Sequence, residues 1–152
     1  MKNNLIELTK ESNIEGVKKF IADGGDINMQ DEDGQTALML AIFHEKKEIA
    51  KLLIKRGVNL DLKDNQGWTA LMKVCNNSKY EMVKILFEEG ANLDIQDKWG
   101  RTALMYANYT ITKLLIKAGA NKNIKDNSGK TALDYVKEEN NIKIIELLTP
   151  KK

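Results

Sequence analysis

Apolar residues fall in short clusters with helical spacing, and polar, glycine-bearing turns interrupt the clusters at regular intervals. Leu38, Ala41 and Ile42 share one face of a first helix. Ile49, Leu52 and Leu53 share a face of a second, and Gly57 stands where a C-terminal cap closes it. The pattern predicts a unit of turn, helix and helix. Leu5 and Leu8, then Ile14, Val17, Phe20 and Ile21, predict an opening helix pair that ends at Gly24 and has no leading turn of its own. Ile142, Ile144, Ile145, Leu147 and Leu148 predict a closing helix stopped by Pro150 and two lysines.

Comparing the chain with itself turns this pattern into a repeat. The string G-x-T-A-L occurs at 34–38, 67–71, 100–104 and 129–133, so that successive glycines lie 33, 33 and 29 residues apart. Each copy has an aspartate three residues before its glycine, namely Asp31, Asp64, Asp97 and Asp126. The first three copies run on to Leu52-Leu53, Ile85-Leu86 or Leu114-Leu115, then to Gly57, Gly90 or Gly119. Asn59/Asp61, Asn92/Asp94 and Asn121/Asn123 follow. Aspartate and glycine flank a tight turn in which glycine supplies positive φ. Thr36, Thr69, Thr102 and Thr131 are placed to cap the first helix of each copy through their hydroxyls.

D-x-x-G-x-T-x-L followed by L-L-x-x-x-G-A-N resembles the ankyrin repeat family over nearly the whole chain. The resemblance implies an all-α repeat solenoid of stacked helix-turn-helix units with short β-turn or hairpin loops. It further implies one domain over 1–152, with an N-terminal cap at 1–30 and repeats at 31–63, 64–96, 97–125 and 126–152, the last a C-terminal cap. Where the family pattern reads T-P-L-H, this chain reads T-A-L-M in three copies and T-A-L-D in the last. Alanine still starts a helix. Met39, Met72 and Met105 are expected to fill volume where the family's histidine links neighbouring turns.

The third full copy is the irregular one. Setting Ala41 against Ala107 and Ile49 against Ile111 leaves seven intervening residues in one copy and three in the other. The deletion therefore lies where the first helix turns into the second, and it removes about one helical turn. A tolerated deletion leaving a shallow notch is the simpler reading. The other is that the notch shapes a binding site with Tyr106 and Tyr109 at its rim.

Composition narrows the function. Hydrophobic residues make up 42% and charged residues 30%, and 24 basic against 22 acidic side chains leave +2. So even a balance, with only Arg56 and Arg101 as arginines, argues against nucleic-acid and membrane partners. Cys75 is the single cysteine, which excludes an internal disulfide framework. With no apolar leader and no long apolar span the chain is expected to be cytosolic, which leaves its two glycosylation sequons idle, and it is expected to be monomeric. His44 is expected at an exposed helix end and Cys75 as a small core residue, so no nucleophile–base pair is evident. Asp31-Glu32-Asp33-Gly34 lacks the later ligands of a calcium loop, and Gly129-Lys130-Thr131 lacks the first glycine of a P-loop. No enzyme activity, metal or cofactor is expected.

In the family that the chain resembles, partners meet the turn tips and the inner face of the first helices. Carried over, the tips are Glu32, Asp33 and Gln35; Asn65, Gln66 and Trp68; Lys98, Trp99 and Arg101; and Asn127, Ser128 and Lys130. The inner helix positions are Phe43 and His44, Asn76 and Asn77, and Tyr109. Trp68, Trp99, Arg101 and Tyr109 are residue types that dominate interface hot spots, although each indole could instead lie flat on its turn. The tips run from acidic to basic along the chain. The expected function is a non-catalytic scaffold that binds a partner protein. A small-ligand or enzymatic role at the notch, and nucleic-acid binding through Lys98, Arg101 and Lys130, are the alternatives. Lys46, Lys47, Lys51 and Lys55 are read as a solvated outer face.

Overall fold

A computed structural model describes residues 4–149. Pro150 and the two lysines, the proposed stop of the last helix, lie outside the described residues. Among the described residues there are nine α-helices and no strand; one isolated bridge pairs Gln30 with Thr36. The chain divides into two compact units, residues 1–70 and 71–152.

In the first unit, α1 (Leu5–Lys10) and α3 (Ala37–Phe43) form an inner row, and α2 (Ile14–Ala22) and α4 (Lys47–Lys55) an outer one. Helices of six to nine residues are too short to persist alone in water. They persist because each buries a side against its neighbours: Leu5, Ile6 and Val17, Leu38 to Ile42, and Ile49, Ala50 and Leu53 are all closed to solvent. Asn4, Asn13 and Thr36 cap α1, α2 and α3, accepting from the N–H groups of Glu7, Gly16 and Met39 at 2.8, 2.8 and 3.1 Å.

In the second unit, α5 (Ala70–Asn76, which begins at the boundary), a 3₁₀ turn (Ala103–Tyr106) and α8 (Ala132–Glu138) hold the first-helix positions. The outer row comprises α6 (Tyr80–Glu88), α7 (Tyr109–Lys117) and α9 (Ile142–Leu148). Met72 is fully buried as expected for a volume filler, as Met39 is in the first unit, but Met105 is only half-buried. The deletion explains that difference. The first helices of the other units end in a residue with left-handed φ: Ser12 at 59°, Glu45 at 54°, Ser78 at 56° and Asn140 at 54°. The shortened copy has no such residue. Ala107 is extended at φ −83°, the α-helix contracts to one 3₁₀ turn, and Thr102 makes no side-chain cap. In the last copy Thr131 is the N-cap of α8 and forms a capping box with Asp134, to which its N–H and hydroxyl donate at 2.9 and 2.8 Å.

Lys46 also corrects the sequence reading. It is the N-cap residue of α4 and does not lie on a solvated outer face. Its ammonium donates to the carbonyls of Thr9 and Lys10 at 2.9 and 2.7 Å and to Ser12 Oγ at 2.7 Å, closing the C-terminal end of α1. Hydrogen bonds from a charged donor are worth about 1.5–3 kcal/mol, so Lys46→Met is expected to lower unfolding free energy by about 2 kcal/mol in urea titration. A loss under about 0.5 kcal/mol, the ordinary surface value, would mean that the clamp is not formed in solution.

The turns stack through backbone contact. Gly34 has φ 75°, and a Cβ there would meet Asn65 N at 2.8 Å and Asn65 Oδ1 at 2.7 Å. Gly57 has nearly the same φ, 77°, with nothing within 4 Å of that position. Gly34→Ala is therefore expected to cost at least ~1 kcal/mol more than Gly57→Ala, since strain is common to both and collision only to the first. Equal losses in paired thermal melts would show that the close approach is not maintained.

Candidate functional site

Four turns carry the tips, and one device builds all of them. The Oδ1 atom of the leading aspartate accepts from the backbone N–H groups two and four residues ahead. Asp31 holds Asp33 and Gln35 at 3.1 and 2.8 Å, and Asp64 holds Gln66 and Trp68 at 2.9 and 2.9 Å. Asp97 holds Trp99 and Arg101, and Asp126 holds Ser128 and Lys130, all at 2.9 Å. The side chain two residues on is exposed in each turn: Asp33, Gln66, Trp99 and Ser128. Four residues on it folds back and is half-buried: Gln35, Trp68, Arg101 and Lys130.

This separates residues that the sequence reading had grouped. Trp99 stands at an outward position and is 47% exposed. Trp68 sits at an inward position and is half-buried, so the two tryptophans are not equivalent. Arg101, expected to project, shares the inward position of Trp68. Its guanidinium lies 5.1 Å from the centroid of the Tyr135 ring, with Nε 3.9 Å from Asp126 Oδ2. Lys130 Nζ is 5.4 Å from the same ring and 2.7 Å from Glu138 Oε1.

Neighbouring tips within each unit are locked together. In the first, the N–H of Asn65 donates to Asp33 O at 3.0 Å and its amide to Glu32 O at 2.7 Å. In the second, Asn127 does the same to Trp99 O and Lys98 O, both at 2.9 Å. Lys98 remains exposed beside Trp99. Of the inner helix positions, Phe43 and His44 are exposed in the first unit and meet edge to face at 5.1 Å. In the second, Asn76, Asn77 and Tyr109 are exposed, and the Asn77 amide donates to Lys73 O at 2.8 Å.

The sequence reading missed a buried network in the second unit. The tyrosine hydroxyl nine residues after each aspartate donates to its free oxygen: Tyr106 to Asp97 Oδ2, and Tyr135 to Asp126 Oδ2. The signal is legible, because the same offset gives Leu40 and Lys73 in the earlier copies. Burial and the Asp97 carboxylate push the Tyr106 hydroxyl up to about 12. Burial also opposes ionisation of Asp126, but hydrogen bonds from Tyr135, Ser128 and Lys130 outweigh it and hold that carboxyl far below its usual range.

Beside this network lies the notch left by the deletion, about 280 Å³, with Ser78, Tyr106, Asn108, Tyr109 and Glu139 in its walls. Cys75 is fully buried, and burial pushes its thiol well above its ordinary range, the opposite of what a nucleophile needs. Among the described residues no three His, Cys, Asp or Glu side chains are grouped to hold a metal ion, and no helix is long and apolar enough to cross a membrane.

A carboxyl depressed by folding contributes stability above its unfolded pKa of about 3.9, and that contribution is lost as pH falls towards the folded value. Asp126→Asn is therefore expected to cost about 2 kcal/mol at pH 7. It should also flatten the acid limb of the stability curve below about pH 4. Urea titrations between pH 2 and 7 read both effects; an unchanged acid slope would show that Asp126 is not the depressed group.

A family model described as ankyrin repeats (3 copies) matches residues 5–97 and 75–152. Among curated proteins, none matches the chain significantly.

Proposed function

Because the chain belongs to the ankyrin repeat family, whose members generally bind proteins and are typically non-enzymatic, we propose that it is a non-catalytic scaffold that grips a partner protein. The observation that carries this reading is Trp99: a large aromatic side chain, 47% exposed, on a turn whose backbone is fixed by Asp97 and Asn127. A rigid loop loses little entropy when a partner docks, so the contact area of the indole converts efficiently into affinity. Lys98 adds an exposed charge beside it, and Tyr109 is 39% exposed on the same unit. Arg101 serves this surface by bracing the turn on Tyr135, and Trp68 has a corresponding inward role in the first unit. In that unit Asp33, Gln66, Phe43 and His44 are the contact residues, as Asn76 and Asn77 are in the second, while Gln35 holds the inward position of its turn.

Nucleic-acid binding is the weaker alternative. Of its three cations, Arg101 lies against Tyr135 and Asp126, and Lys130 is paired with Glu138. Only Lys98 is left to meet a phosphate, too few for the steep salt dependence that such binding shows.

Cross-linking capture on the tagged full chain, quantified by mass spectrometry, tests the site. Trp99→Ala is expected to cut partner recovery at least ~10-fold, the scale of an interface hot spot, while Lys113→Ala on the outer surface of α7 leaves it unchanged. Full recovery with Trp99→Ala would move the interface elsewhere.

A further inference from the structure

The two earlier full copies show what the deletion removed. The positions absent from the third copy are 42–45 in the first and 75–78 in the second, and the leading residue of each stretch, Ile42 or Cys75, is fully buried. The deletion therefore takes one apolar side chain out of the interior. Positions just before the gap register the loss. Met39, Met72, Ala41 and Val74 are closed to solvent, whereas their counterparts Met105 and Ala107 are half-buried. Both line the notch, together with the buried Leu104, Val136 and Ile144. The notch is thus a hollow short of one aliphatic side chain. Its volume, about 280 Å³, lies below the roughly 300–1,000 Å³ of small-molecule sites and suits inserted side chains.

The same unit carries an aliphatic side chain without cover. Ile142 is 69% exposed, more than any other large hydrophobic residue among those described. It opens α9 directly after the N-cap Asn141, and Asn141 and Ile144 both stand in the notch wall. Knob and hollow are therefore neighbours on one surface. Charges of opposite sign accompany them. Lys143 follows the knob, Glu139 stands in the wall of the hollow, and both are exposed. Among the described residues neither has an ion-pair partner.

We propose that a second copy of this chain covers the notch, with Ile142 of each protomer entering the hollow of the other. A surface that holds both a knob and a hollow is complementary to itself, and a two-fold axis between them makes both contacts at once. The same operation brings Lys143 of one protomer to Glu139 of its partner, and the reverse, which gives two ion pairs beside the inserted side chains. Such pairs fix register more than they add affinity. An aliphatic side chain of a foreign protein could fill the hollow, but it would leave Ile142 bare and Lys143 unmatched. A second copy accounts for all three features together. The pairing replaces the monomer expected from the sequence. It goes beyond the partner-binding reading and does not depend on it, since it uses Tyr109 of the notch wall but neither Trp99 nor Lys98.

Sedimentation velocity of the full chain between about 1 µM and about 1 mM, the span that brackets weak association, tests the pairing. The weight-average mass is expected to climb from one chain towards two. A single-chain mass at the highest concentration overturns the proposal and leaves the hollow to a foreign side chain. Ile142→Asp puts a charge into the hollow and is expected to weaken the dimer at least ~10-fold. The position is exposed at a helix start, where aspartate is tolerated, so the variant should fold. Lys143→Glu should weaken the dimer several-fold, and adding Glu139→Lys should bring it back to within about twofold of the unaltered chain. An undiminished dimer with Ile142→Asp, or no recovery in the double variant, overturns the reciprocal contact. Trp99→Ala is expected to leave the dimer unchanged; a dimer lost with that variant would place the interface at the turn tips and overturn this one. No foreign partner enters the experiment, so its failure removes the dimer and leaves the capture result standing.

Discussion

In every turn one carboxylate oxygen accepts two backbone N–H groups, from residues two and four positions ahead, and the geometry of the turn follows from that bond pair. It leaves the second residue pointing outward and draws the fourth inward. It also sets the turn carbonyls where the asparagine of a neighbouring turn can reach them, as Asn65 reaches Glu32 and Asn127 reaches Lys98. The aspartate Oδ1 reaches both donors at 2.8–3.1 Å, and its charge strengthens both bonds relative to a neutral amide oxygen of the same reach.

Much of the fold was legible because its physics is periodic. The glycine spacing marked the turns and the apolar spacing the helix pairs; aligning Ala41 with Ala107 set the deletion between Ala107 and Ile111, whereas in the structure the first helix has already contracted at Ala103–Tyr106. What the pattern could not convey was the consequence of that deletion. A one-turn loss suggests a shorter α-helix, yet the left-handed residue that ends the helix disappeared with it, and a 3₁₀ turn replaced the helix altogether.

Site residues were harder to read because exposure depends on one- and two-residue offsets. Trp68 and Trp99 look alike in composition, but they lie four and two residues after their aspartates and so have opposite fates. The second unit shows why offsets matter chemically. With tyrosine nine residues after the aspartate, the carboxylate gains a further donor, and the Tyr135 ring becomes a platform for Arg101 and Lys130. Two basic residues of the tips thereby lie against that ring, 5.1 and 5.4 Å from its centroid.

The N-cap of the second helix presents a choice with consequences beyond one unit. Asparagine at 13, 108 or 141 accepts from its own helix and stabilises that helix locally. Lysine at 46 forgoes the local bond and ties its unit to the one before. A repeat protein gains its cooperativity from such ties between neighbours, and at 108 and 141 the asparagine makes its bond within its own helix instead. At 108 the asparagine cap coincides with the deletion, where the preceding first helix has contracted to a single 3₁₀ turn.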